Sequence, residues 1–175
     1  GTNARSLATS IAITGTAGQA MADWSPDGAW IVASGRDAAG QALFKIPVAG
    51  GEPLRLVSGE AYHPVWSPDG RLIVYETGLG AQVSLLGVRP DGTRVALPDM
   101  SARPGATRFL PDSSGLVYLP FLQSLDFMLL DLRTMKSRTI ASLDDRGALT
   151  TFDITPDGQF MVFDRSRENS NIVLF

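Results

Sequence analysis

The 175-residue chain contains no cysteine, one histidine and only two lysines, and these shortages limit the chemistry it can perform. Without cysteine there is no disulfide, no thiolate metal ligand and no cysteine nucleophile. A single histidine, His63, cannot form a conventional zinc site, and any Ser-His-Asp machinery would have to be built on it. We therefore expect neither a bound cofactor nor a metal ion.

Several other signals are missing as well. The sequence has no Gly-x-Ser-x-Gly nucleophile motif and no Walker-type phosphate loop, and 78–80 (GLG) lacks the third glycine of a dinucleotide fingerprint. No apolar run approaches the ~18 residues of a membrane span. The net charge of −3 provides no basic field for a phosphate backbone. We expect a protein that is not an enzyme, does not insert into membranes and does not bind nucleic acid.

What the sequence does contain is a repeated turn. SPDG occurs at 25–28 and 67–70, LPDS at 110–113 and TPDG at 155–158, so that successive prolines are 42, 43 and 45 residues apart. Two places before each proline is a large apolar residue and six places after it is a valine, at Trp24/Val32, Trp66/Val74, Phe109/Val117 and Ile154/Val162. Proline, aspartate and glycine in this order form tight turns between strands. A period of about 40 to 45 residues with several strands per unit predicts propeller blades.

The fold class predicted from this repeat is all-β, a β-propeller of four-stranded antiparallel blades with about four blades present. The units are 17–57, 58–98 and 99–143, followed by an incomplete blade at 144–175. The second strand of each unit is a continuous apolar run, which is typical of a sheet covered on both faces. Residues 1–16 are predicted to supply the leading strand of a preceding or closing blade.

Three ways of completing the ring remain open. The leading strand could complete the fourth blade, the chain could be a piece of a larger propeller, or two copies could join into one ring. The apolar stretch at 171–175, with which the sequence stops, favours a partial propeller.

The repeat resembles that of a known family. WSPDG followed by an apolar strand, then a second strand ending in a turn such as VAGG at 48–51 or RPDG at 89–92, is similar to the Pro-Asp, WD40-like repeat of TolB, the periplasmic component of the Tol-Pal system. Similar repeats occur in the propellers of tricorn-type and prolyl-oligopeptidase-type peptidases and in sensor portions of bacterial receptor kinases. The resemblance implies a propeller fold and a periplasmic or otherwise extracytoplasmic location. It implies little about function, because unrelated activities use this repeat.

The acidic residues of the repeat, at Asp27, Asp69, Asp112 and Asp157, recur because the turn recurs, and we interpret them as turn formers. His63 opens the first strand of the second unit, where a hydrogen-bonded channel or loop histidine is the simplest interpretation. Recognition residues are expected on the loops that join fourth to first and second to third strands. The candidates there have the aromatic or guanidinium character of interface anchors, with His63 added for its position: Arg36, Tyr62, His63, Arg103, Phe121, Arg165 and Arg167.

The function predicted from the sequence is a non-enzymatic, TolB-like scaffold that binds a protein or peptide through its loop face. A homodimer, or the remaining blades of a larger propeller, is a further possible partner. The alternatives are the gating propeller of a larger peptidase and the extracytoplasmic sensor part of a receptor kinase.

Overall fold

The computed structural model of the chain describes residues 7, 10–14, 22–78, 83–120, 126–143, 149 and 151–164. Within these ranges the chain forms strands, turns and bends and contains no helix. It follows that no helix in the described part of the chain is suited to crossing a membrane. The expected all-β architecture is confirmed.

The strands form consecutive antiparallel sheets, one for each unit of the repeat. The first sheet comprises β1 (Ala12–Ile13), β2 (Ala22–Trp24), β3 (Trp30–Asp37), β4 (Gly40–Pro47) and β5 (Leu54–Ser58). The second comprises β6 (Tyr62–Trp66), β7 (Ile73–Thr77), β8 (Ser84–Val88) and β9 (Arg94–Val95). The third comprises β10 (Thr107–Phe109), β11 (Gly115–Tyr118), β12 (Asp126–Asp131) and β13 (Lys136–Ser142). In the fourth, β14 (Phe152–Ile154) pairs with β15 (Met161–Phe163), and the predicted strand at 171–175 lies outside the described residues.

The repeated tetrad forms the predicted turn between the first and second strands of each sheet. In the first sheet Asp27 Oδ1 accepts hydrogen bonds from Ser25 Oγ at 2.5 Å and from the Ala29 N–H at 3.0 Å, while Gly28 adopts a φ of +67°. The hydrogen bonds from Ser25 and Ala29 lower the pKa of Asp27 below its ordinary value. Asp69, Asp112 and Asp157 accept the matching backbone N–H two residues further on, and Asp69 and Asp157 also accept the hydroxyl of the first residue of their tetrad. The interpretation of these carboxylates as turn formers is confirmed.

Three hydrophobic cores lie between neighbouring sheets, and the second strands of the second and third sheets each contribute to two of them. Ile73 and Tyr75 of β7 pack in the core between the first and second sheets, whereas Val74 packs in the core between the second and third. In β11 the same alternation joins the second core to the third. A strand with both faces covered needs apolar residues at consecutive positions, which is the sequence pattern observed.

The first and fourth sheets leave repeat positions exposed that are buried elsewhere. The valine six places after the proline is at most 1% exposed in the first three sheets, but Val162 in the fourth is 63% exposed. On the opposite side of the stack, Trp24 is 56% exposed, although its equivalent Trp66 is only 6% exposed. Both positions face the side of the sheet on which a neighbouring blade packs elsewhere in the molecule.

The described part of the leading segment is placed differently from the prediction. Ala12 and Ile13 pair with Arg36 and Gly35 of β3 in the first sheet, not with a preceding or closing blade. Within the described residues β2 pairs with β3 as far as Ala33, and β1 pairs with β3 beyond that point. Gly35 permits the close approach, because a Cβ there would stand 3.0 Å from the Ala12 carbonyl oxygen. Thus β1 extends the inner edge of the first blade and, as described, does not complete the fourth.

Candidate functional site

The loops from fourth to first strands and from second to third strands lie at one face of the blades, which we call the loop face. Its described connections are 38–39, 59–61 and 96–106. Four of the predicted recognition residues belong to this face, with Arg36 near the end of β3, Tyr62 and His63 at the start of β6, and Arg103 ahead of β10. Phe121, Arg165 and Arg167 lie outside the described residues.

His63 is buried and takes part in a polar link between two blades. Its Nδ1 lies 2.6 Å from Glu76 Oε2, and the side chain of Glu76 is 3% exposed. The other carboxylate oxygen, Oε1, accepts the Gly105 N–H at 2.8 Å. Because a carboxylate has no proton to donate, Nδ1–H of His63 is the donor in this contact. Glu76 thus ties the first strand of the second blade to the loop that leads into the third.

A local irregularity of β6 turns His63 toward Glu76. The pairing of β6 with β7 shifts between Tyr62 and Val65, and His63 adopts a φ of +42°. Positive φ is uncommon for residues with a side chain and persists only where surrounding contacts hold it. The buried contact with Glu76 is such a constraint.

Sequence reasoning did not identify Glu76 or Gly105. Glu76 directly follows the apolar run 72–75, so the sequence places it in the second strand of its unit without marking it as special. An available signal was that a lone acid sits in an otherwise buried strand, in the unit that also contains the only histidine. Burial of a carboxylate is costly unless it is hydrogen-bonded, so this pattern predicts a polar partner for Glu76.

Arg103 also connects neighbouring blades. Its guanidinium donates to the Leu149 carbonyl oxygen at 3.1 Å, and its backbone N–H donates to the Leu119 carbonyl oxygen at 2.8 Å. The side chain is half-buried. Arg103 is therefore partly engaged in holding the loop that precedes the third blade against the segment that precedes the fourth.

Arg36 and Tyr62 are the candidates whose side chains remain available at the loop face. Arg36 is exposed and Tyr62 is half-buried, and neither side chain forms a hydrogen bond or ion pair with any residue in the described ranges. They lie on neighbouring blades, since β3 and β6 are in contact. Whether they bind a partner stays a prediction.

The hairpin that follows Arg36 is held by Arg55. The Arg55 guanidinium forms an ion pair with Asp37 and donates to the Gly40 carbonyl oxygen at 3.2 Å. Burial acts to raise the pKa of Asp37, but the hydrogen bond from Arg55 and the other contacts outweigh it and lower that pKa. The loop face therefore has a fixed backbone beside Arg36.

The described residues contain no group of three or more histidine, cysteine, aspartate or glutamate side chains that could hold a metal ion. The acidic side chains within these ranges serve mainly in turns, as at Asp69, or in links between blades, as at Glu76.

Comparison with known proteins gives a likeness of fold. No family model matches the sequence, and no curated protein matches it. Among solved structures, TolB from Acinetobacter baumannii is 16% identical with a TM-score of 0.66, and the match covers 87% of this chain and 39% of that protein. An oligogalacturonate lyase in complex with manganese is 18% identical with a TM-score of 0.69, covering 91% of this chain and 48% of the lyase. A puromycin-hydrolyzing peptidase of Mycobacterium tuberculosis is 17% identical with a TM-score of 0.58, and the match covers 79% of this chain and 27% of the peptidase.

The chain thus spans less than half the length of each of these three proteins. At such identities the likeness concerns the arrangement of strands and blades. Together with the Pro-Asp turns and the interleaved cores, it shows that the chain has the fold of a TolB-type β-propeller.

Proposed function

We propose that this chain is a non-enzymatic, TolB-like propeller segment that binds a protein or peptide partner through its loop face. The observation that carries the proposal is the pair of available side chains, Arg36 and Tyr62, on a face whose backbone is fixed by polar links. Arginine and tyrosine are enriched among the residues that dominate binding energy at interfaces.

The fixed backbone matters because binding loses affinity when loops must be ordered at the same time. Arg55 holds the hairpin beside Arg36, and Glu76 holds the start of β6 beside Tyr62 against the next blade. A partner would meet these two side chains on a backbone that is already fixed.

The side chains favour a peptide that carries a carboxylate near an apolar or aromatic group. The guanidinium of Arg36 can donate two parallel hydrogen bonds to a carboxylate, and the ring of Tyr62 offers an apolar surface with a polar end. The partner class is therefore an acidic peptide or the acidic loop of a protein.

The test is selection of ligands from a phage-displayed library of random linear peptides on the purified chain. Selected peptides should bind Arg36→Ala and Tyr62→Ala at least about tenfold more weakly, which corresponds to about 1.4 kcal/mol. Arg133→Ala is the matched control, because Arg133 is exposed in the turn between β12 and β13 at the opposite face. Selected peptides that bind all three variants as tightly as the wild type would refute the proposal.

The exposed positions on the end sheets support the further part of the proposal, that this segment works within a larger ring. Val162 and Trp24 occupy places that a neighbouring blade covers elsewhere in the molecule. Light scattering of the purified chain tests whether a second copy supplies that cover, since a monomer in solution would exclude a ring made of two chains.

A second candidate function is the gating propeller of a larger peptidase. It is favoured by the likeness to the puromycin-hydrolyzing peptidase. The match covers 27% of that peptidase, so this chain resembles one part of it. The nucleotide sequence flanking the coding region distinguishes the candidates, because a peptidase requires an in-frame hydrolase domain with a Gly-x-Ser-x-Gly motif.

The likeness to TolB also supports an extracytoplasmic location for the protein. Fractionation of cells that produce the natural protein tests this part, and recovery with the cytoplasmic fraction alone would contradict it.

A further inference from the structure

A cavity lies at the outer side of the first two blades and reaches the loop face at Glu60 and Ala96. Its volume is about 440 Å³, and it lies between β5 of the first sheet and the outer strands of the second. The apolar part of its lining includes Val57, Leu86 and Val95, and the polar part includes Tyr75 and Arg94. This volume is within the range of small-molecule sites.

Tyr75 is the unusual member of this lining. The residue is only 3% exposed, yet its hydroxyl forms no hydrogen bond with any residue in the described ranges. Nor is its oxygen among the fully enclosed side-chain atoms without a partner, so the hydroxyl opens into the cavity. A buried tyrosine hydroxyl usually has a hydrogen-bond partner.

The third blade shows what satisfies the equivalent tyrosine. Tyr118 occupies in β11 the position of Tyr75 in β7, and its hydroxyl is 3.2 Å from Ser137 Oγ in the outer strand. By the strand register, the position of Ser137 corresponds to that of Arg94 in the second blade. At this position the third blade has the hydroxyl of Ser137, which is the hydrogen-bond partner of Tyr118, whereas the second blade has the cationic side chain of Arg94.

Among the described residues, this replacement leaves the Tyr75 hydroxyl without a hydrogen-bond partner and the Arg94 guanidinium without an ion-pair partner. Burial raises the pKa of the Tyr75 hydroxyl, and the charge of Arg94 acts on it in the opposite direction. The guanidinium of Arg94 forms no ion pair with any other side chain that the structure describes. A hydroxyl donor and a guanidinium together match a carboxylate.

Glu60 also lines the cavity and is exposed, and it likewise has no ion-pair partner in the described part of the chain. A ligand that carried only a carboxylate would meet this second negative charge. A ligand with an ammonium group would instead neutralise it, while an aliphatic group would cover Val57 and Leu86.

We propose that the cavity formed by Tyr75, Arg94, Glu60 and the apolar residues between them binds a small zwitterion with an aliphatic body. Tyr75 and Arg94 bind its carboxylate, and Glu60 faces its ammonium group. A free aliphatic amino acid and a short aliphatic peptide share this chemistry. The site shares no residue with the pair Arg36 and Tyr62, on which the function proposed for the loop face rests.

The test is isothermal titration of the full chain with leucine, leucyl-leucine, 4-methylpentanoate and leucinamide. The proposal requires that leucine or leucyl-leucine bind at least about tenfold more tightly than the last two compounds, each of which lacks one charge. The stronger of the two zwitterions identifies the source as an amino acid or a peptide. Absence of binding by both, or equal binding of 4-methylpentanoate, would overturn the proposal.

Three substitutions make the test specific for the site. Tyr75→Phe removes only the hydroxyl, and Arg94→Ser introduces the residue type that satisfies Tyr118 in the third blade. Each should weaken binding about tenfold or more while leaving the thermal unfolding temperature near that of the wild type. Tyr118→Phe, which removes the equivalent hydroxyl from the third blade, should leave binding unchanged. Binding that survives both Tyr75→Phe and Arg94→Ser would place the ligand elsewhere.

Discussion

Replacing Glu76 by leucine should separate the buried polar link from the hydrophobic packing around it. Leucine has a similar volume but no acceptor, so His63 Nδ1–H and the Gly105 N–H both lose their partner. Removing one member of a buried charged or hydrogen-bonded pair costs about 3–5 kcal/mol. We expect Glu76→Leu to lower the free energy of unfolding by about this amount.

Glu76→Gln should have a smaller effect. Glutamine can accept the Gly105 N–H through its oxygen and donate its amide to Nδ1 of a neutral His63 protonated on Nε2, so that only the charge-assisted strength is lost. We expect a loss of about 1 kcal/mol. Unfolding in urea, followed by tryptophan fluorescence, measures both values, provided that the slope with denaturant is unchanged.

Glu60→Leu provides the control, because Glu60 is exposed and has no partner in the described residues. Its effect on the free energy of unfolding should stay within about 0.5 kcal/mol. The reasoning would be refuted if Glu76→Leu were no more destabilising than this control, or if glutamine at position 76 were worse than leucine.

Three further predictions concern packing and the turns. Phe127 is fully buried, and its ring packs edge-on against that of Phe152 with 5.2 Å between the ring centroids. Phe127→Ala should therefore lower the free energy of unfolding in urea by about 3–5 kcal/mol. Ile140→Ala is the control and should cost less than about 1 kcal/mol, because Ile140 is 37% exposed. Gly115→Ala should cost about 1–3 kcal/mol, because the new Cβ would stand 3.0 Å from the Leu130 carbonyl oxygen; an unchanged midpoint would contradict this. Burial acts to raise the pKa of Asp69, but hydrogen bonds from Ser67 and the Arg71 N–H outweigh it and lower that pKa below 3.8. The ionised Asp69 therefore contributes fully to stability above pH 3.8, and this contribution is lost as the pH falls through the folded-state pKa. Asp69→Asn should therefore flatten the acid side of a plot of unfolding temperature against pH, and an unchanged slope would count against the assignment.

The repeat was sufficient to predict the sheets because its information is local. Proline, aspartate and a residue with positive φ define each turn, and the apolar run after the turn defines a strand covered on both faces. Even the divergent copy at 110–113 keeps the geometry, since Ser113 takes the positive φ that glycine has elsewhere, at +60°. Four strands per unit were therefore predictable for the first three units.

The pairing of β1 was not predictable in the same way. The alternation of residues in the leading segment predicts a strand but does not say which edge it joins. That choice depends on how far β2 reaches along β3, which is a property of a different part of the chain. The structure resolves it through the end of β3 beyond Ala33 and the small residue Gly35.

The candidate site was predicted less completely than the fold. Exposure and residue type identified Arg36 and Tyr62, because these properties can be read from position in the repeat. The contacts of His63 with Glu76, and the difference between Arg94 and Ser137, depend on which side chains meet across strands. These contacts between side chains depend on the register of the paired strands. A single sequence does not give that register until it is known which strands pair.

The alternation of second-strand side chains between two cores has an evolutionary consequence. At each of the three junctions that the structure describes, a second-strand valine of one blade lies in the same core as a large apolar residue of the next, Trp66, Phe109 or Ile154. A duplicated or deleted repeat would therefore bring matching apolar surfaces together at its new junctions, and only the links specific to one junction, such as Glu76 with Gly105, would be lost. Genes that encode such blades can change in length by whole units, and the number of blades is free to vary between descendants while the loops acquire separate roles.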